Sequence, residues 1–95
     1  MSYKLSQSTR SDKKWMVKTP SGEVIHFGAD GYKDFTLGAT PQERLAYIAR
    51  HEPREDWNSP STAGFWSRWL LWERPIIGSA IRNIETKFGL TITRL

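Results

Sequence analysis

Apolar and polar residues alternate on both sides of a short turn signal in "KWMVKTPSGEVIHFG", residues 14–28. Period-two alternation of this kind predicts two half-buried strands. Between them Pro20 presets the first central turn angle, and Gly22 supplies a left-handed position. A type I turn closed by a glycine bulge sets Thr19 opposite Glu23. Val17 then faces Ile25 and Trp15 faces Phe27, all on one side of the ribbon. Met16, Lys18, Val24 and His26 take the other side. The register dictated by the turn is the one that gathers the apolar residues, so the two levels agree.

Helical spacing follows. Thr40, Pro41 and Glu43 stand where an N-cap, a first helical position and a capping box require them. Pro53 ends that helix near His51. Leu45, Ile48 and Ala49 form its predicted inner face, and Arg44, Tyr47, His51 and Arg54 a neighbouring stripe. "SPSTAGFWSRWLLWER" predicts a second helix with Ser59 as N-cap and Pro60 at the first position. Phe65, Trp69 and Trp72 repeat there at i, i+4 and i+7, with Trp66 and Leu70 widening the stripe towards its edges. Arg68 falls outside it, free for a partner. After Pro75, Ile76, Ile77, Ala80, Ile81, Ile84 and Phe88 predict a third helix, which Gly89 caps while Leu90 folds back. "LTITRL" closes the chain as a strand. Residues 1–12, "MSYKLSQSTRSD", have no apolar period and predict a flexible basic and polar arm ahead of one compact domain, residues 13–95. The fold class is α+β: an N-terminal β-hairpin or small antiparallel sheet packed on two to three helices, with a short C-terminal strand.

Composition decides what the aromatic stripe is for. A chain of 95 residues buries only about 60–65% of its unfolded surface, so its core must be dense. The five Trp, four Phe and three Tyr are the residues able to supply that density. The stripe therefore reads as core before it reads as a stacking platform for bases. The expected core is Trp15, Val17, Ile25, Phe27, Leu45, Ile48, Phe65, Trp69, Trp72, Ile81, Ile84 and Phe88. With no cysteine, disulfides, thiolate nucleophiles and cysteine-based zinc sites are excluded. No apolar run is long enough to span a membrane, and the polar N-terminus predicts no secretory signal.

The formal net charge is +4. Lys4, Arg10, Lys13, Lys14 and Lys18 oppose Asp12 alone, whereas from residue 19 onward nine bases meet nine acids. A basic arm on a neutral body suits a polyanion. The body holds seven arginines and two lysines, and arginine pairs with phosphate bidentately. The candidate nucleic-acid contacts are Lys13, Lys14, Arg44, Arg50, His51, Arg54 and Arg68. The competing reading pairs these arginines with Glu43, Glu52, Glu55 and Asp56 inside the domain.

Catalytic signals are sparse. His26 and His51 are the two histidines, and neither has a partner at zinc-helix spacing. Asp34, Glu55 and Asp56 suggest a magnesium-dependent nuclease only as a second alternative. The expectation is a non-enzymatic protein with no metal and no cofactor.

"IHFGADGYKDFT", "ERLAYIARHEPREDW" and "TAGFWSRWLLW" together resemble a family of small uncharacterised proteins encoded by large double-stranded DNA viruses and related phages. The resemblance covers roughly residues 14–95. It implies a viral product of the infected cell, in cytoplasm or nucleus, or one packaged in the virion. Its partners would be DNA or RNA, or else a viral protein assembly in which it is a structural component. Relatives tend to carry further lysines after "RH", where this chain has Glu52 and Pro53.

Overall fold

The computed structural model describes residues 2–95. Strands β1 (Tyr3–Gln7), β2 (Lys13–Lys18) and β3 (Val24–Ala29) precede helix α1 (Pro41–His51). Helix α2 starts at Ala63–Trp66 and continues as a π-helical turn, Ser67–Leu71. Helix α3 (Ile77–Phe88) and strand β4 (Ile92–Arg94) complete the chain. The α+β class expected from the sequence is what the structure has.

The β2–β3 hairpin has the predicted register, with Trp15 opposite Phe27 and Val17 opposite Ile25. Its turn is closed by Thr19 N–H donating to Glu23 O at 2.8 Å and Gly22 N–H to Thr19 O at 2.9 Å. Gly22 takes φ 95°, the left-handed angle that the bulge needs.

The sheet order is β3-β2-β1-β4, so the segment expected to be an arm is an inner strand. β1 pairs antiparallel with β2 and parallel with β4, and the sheet is therefore mixed. Leu5, the cross-strand partner of Val17, is fully buried in the core. Tyr3 and Leu5 are the only apolar residues of β1, too few for a period to show, but the pair of flanking strands fixes them. Met1 lies outside the described residues. The radius of gyration, 12.5 Å, matches the roughly 12 Å expected of one compact domain of this length.

α1 carries the capping box: Glu43 N–H donates to Thr40 Oγ1 at 3.1 Å and Thr40 N–H to Glu43 Oε1 at 2.9 Å. Its inner face is not the predicted one. Leu45 is 61% exposed and Ala49 is exposed, while Ile48 is half-buried and Tyr47 is buried. The helix docks through Tyr47, whose ring stacks on Trp72 at 4.5 Å, and through Arg44, which donates to Trp72 O. A polar and aromatic seam, rather than an aliphatic one, holds it to the domain.

The second helix begins later than Ser59. Thr62 is its N-cap, accepting from Phe65 N–H, and Ser59 O instead receives Thr62 N–H in the turn before it. Beyond Trp66 the helix widens to i→i+5 bonding. The wider turn buries residues five apart: Phe65 with Leu70, and Trp66 with Leu71. Trp69 and Trp72, placed in the core by regular spacing, are half-buried at its rim. The centre holds Leu5, Val17, Phe27, Phe65, Trp66, Leu70, Leu71, Ala80 and Ile84; Trp15, Ile25, Ile81 and Phe88 pack around it. α3 ends as expected, with Gly89 at φ 68°. Glu85 accepts from Ile92 N–H at 2.9 Å and so starts β4.

Candidate nucleic-acid interface

A cleft of about 650 Å³ lies where the ends of β2 and β3, α1 and the start of α2 meet. That volume falls within the roughly 300–1,000 Å³ typical of ligand sites. Two glycines make it possible. Gly28 (φ 77°) lets β3 approach α2, and any Cβ there would sit 2.8 Å from Leu71 Cδ1. Gly64 leaves room for the Glu55 carboxylate, which a Cβ would overlap.

Lys13, Lys14, Arg50 and His51, four of the residues expected to meet nucleic acid, line this one cleft. Lys33 and Tyr32 join them from the β3–α1 loop. Tyr32 is 73% exposed, and Trp72 is half-buried at the cleft wall. Tyr32 and Lys33 sit in a loop without helical period, where neither the charge nor the stripe pattern points to them.

Three carboxylates also line the cleft, and each is already engaged. Asp34, 2% exposed, accepts from Lys14 Nζ at 2.7 Å and from Thr36 N–H at 2.8 Å. Glu43 takes Lys33 Nζ at 3.1 Å. Glu55 accepts at 2.7 Å from His51 Nδ1 and at 3.0 Å from Trp57 Nε1. Among the described residues this leaves Lys13 and Arg50 as the lining cations without a carboxylate partner. Burial, and then the nearby Glu55 charge, push the Tyr47 phenol far up, so its ring stays neutral.

The remaining candidates lie elsewhere. Arg68 is buried: its guanidinium lies 4.3 Å from the Trp69 ring centroid and donates to Glu73 at 2.8 Å. Arg44 meets the same Glu73 oxygen at 2.6 Å. Burial alone would raise the Glu73 carboxyl, but the hydrogen bonds from Arg68 and Arg44 outweigh it and hold it below the usual range. These two arginines are structural, as the pairing alternative anticipated, though their partner is Glu73 rather than a residue of 43–56. Arg54 is exposed in a 3₁₀ turn (Glu52–Arg54) and does not line the cleft.

Asp34, Glu55 and Asp56 do not converge. Asp56 accepts from Asn58 N–H, apart from the bonds of the other two, and no group of three or more metal-ligating side chains gathers among the described residues. No described helix is long and apolar enough to cross a membrane.

No curated protein and no solved structure matches the chain. A family model does match, over residues 3–51, which span β1 to the end of α1. The match takes in the sheet side of the cleft and its α1 wall, and by it the chain belongs to DUF5754, a family of unknown function.

Proposed function

We propose that the protein is a non-enzymatic binding module that holds a nucleic-acid strand in this cleft. The observation that carries the reading is the charge arrangement: Lys13 and Arg50 face the cleft unpaired, while the carboxylates beside them are already satisfied. A phosphodiester would complete both cations without competing against an internal acid. The exposed Tyr32 ring offers a face for an unpaired base, worth about 1–3 kcal/mol per stacked base. An unpaired strand suits the site better than a duplex, because a cleft admits a single extended chain.

The test is a binding isotherm for single-stranded DNA and RNA at several salt concentrations. Affinity should fall with salt, and Lys13→Ala or Arg50→Ala should each flatten the log–log slope by about 0.7. No affinity at low salt would end the reading. Unchanged slopes in both variants would move the contact off the cleft.

A second reading, a structural component of a viral assembly, draws on the resemblance to viral proteins and on exposed apolar residues beside α1. Leu37 and Leu45 are 59% and 61% exposed. Single scattered apolar residues are ordinary, so this reading ranks second. Concentration-dependent self-association lost in Leu45→Lys would favour it. The viral reading places the protein in the infected cell or the particle.

A further inference from the structure

We infer that His51 is a phosphate-contacting residue of the cleft, held in place for that role by Glu55. The inference rests on the cleft reading above and adds a residue role and a proton linkage to it.

Four features fix the imidazole. Glu55 accepts from Nδ1 at 2.7 Å. Trp57 Nε1 donates to the other Glu55 oxygen at 3.0 Å and so orients the carboxylate. Gly64 leaves the space in which that carboxylate lies. The imidazole itself stacks on Tyr47, centroids 4.2 Å apart, and Tyr47 stacks in turn on Trp72. A carboxylate that holds Nδ1–H directs the second nitrogen, Nε2, outward. His51 lines the cleft, and its side chain is 40% exposed. Nε2 makes no hydrogen bond among the described residues. This is more construction than a surface histidine needs.

The protonated ring donates from Nε2 and adds a cation to those of Arg50 and Lys13; the neutral ring presents a lone pair and repels a phosphate oxygen. The charged groups that line the cleft with His51 are Glu55, which holds its Nδ1, and the cations Arg50 and Lys13. The pairs Lys14–Asp34 and Lys33–Glu43 across the cleft are neutral as units. Tyr47 stays uncharged. A bound phosphodiester offsets Arg50 and Lys13, so binding and protonation reinforce each other.

The experiment uses the full chain and a single-stranded oligonucleotide without terminal phosphates, whose diester charge is constant with pH. Affinity is measured at about pH 5.5 and about pH 8, either side of the histidine range. The expected result is at least about threefold tighter binding at the lower pH, with the difference abolished in His51→Gln. Glu55→Gln, whose amide oxygen can still accept from Nδ1, should keep low-pH binding. NMR of the two histidines in the unmutated protein gives a readout independent of variant folding. The oligonucleotide should raise the His51 titration midpoint by about half a unit, the linked equivalent of threefold, and leave His26 unmoved. Binding with equal affinity at both pH values and an unmoved His51 midpoint would overturn the inference while leaving the cleft reading intact. Absence of binding at either pH would overturn both.

Discussion

Replacing Trp66 by alanine should damage the domain more than replacing Trp69, and the contrast tests the π-helical turn. Trp66 is fully buried, with the rings of Tyr3, Phe27 and Phe65 around it at 5.6, 6.2 and 5.2 Å. Its Nε1 donates to Pro60 O at 2.9 Å. Losing a buried tryptophan costs about 3–5 kcal/mol, and the stranded Pro60 carbonyl adds to that. A chain of this size has roughly 5–14 kcal/mol of total stability, so the variant would be marginal. Trp69 is half-buried, with Arg68 against its face. Its loss should cost about 1–3 kcal/mol, from a smaller apolar area, the Arg68 cation–π contact and the Nε1 bond to Trp57 O. At about 4–8 °C per kcal/mol for a domain this small, the two melting temperatures should be well separated. Urea unfolding followed by far-ultraviolet circular dichroism suits the comparison, because fluorescence changes when a tryptophan is removed. A Trp69→Ala protein as unstable as Trp66→Ala, or less stable, would mean that the helix keeps regular spacing through residue 71.

Three further outcomes follow from the packing. Deleting residues 1–12 should unfold the protein, since β1 is an inner strand and Leu5 is fully buried; a truncated chain with an unchanged melting temperature would contradict the sheet order. Lys14→Ala should cost about 3–5 kcal/mol because it strands the buried Asp34 charge, whereas Lys13→Ala should change stability by less than about 0.5 kcal/mol; equal effects in chemical denaturation would refute the distinction. The Glu73 carboxyl is depressed in the folded state, so its contribution is present above the ordinary glutamate range and lost as pH falls through the lower folded value. Glu73→Gln should therefore flatten the acid limb of a stability–pH profile, and an unaltered limb would deny the Arg44–Glu73–Arg68 link.

Where turn chemistry and apolar pattern coincide, the sequence was sufficient. The hairpin register followed from Pro20, Gly22 and the alternation around them, and the α1 cap from Thr40 and Glu43. Other features depend on tertiary partners that no local window contains. β1 has only Tyr3 and Leu5 as apolar signal and becomes a strand because β2 and the distant β4 flank it. The π-helical turn moved burial from Trp69 and Trp72 to Trp66 and Leu71, a change that 3.6-residue spacing cannot anticipate. α1 docks by Tyr47 and Arg44 rather than Leu45, because its neighbour is the Trp72–Glu73 corner. At the site, charge type singled out Lys13, Lys14, Arg50 and His51. Sequence could not tell the free cations from the paired ones, since Arg68 finds Glu73 only once the helix has widened.

The measurement closest to the central claim is an amide chemical-shift map of the labelled protein titrated with a single-stranded oligonucleotide. Occupation of the cleft predicts the largest changes at Lys13, Gly28, Tyr32, Arg50 and Ser67, which line it. Lys4 and Lys18, paired across β1 and β2 and outside the cleft, should change little. Changes centred on Lys4 and Lys18, with Arg50 and Ser67 silent, would contradict the account.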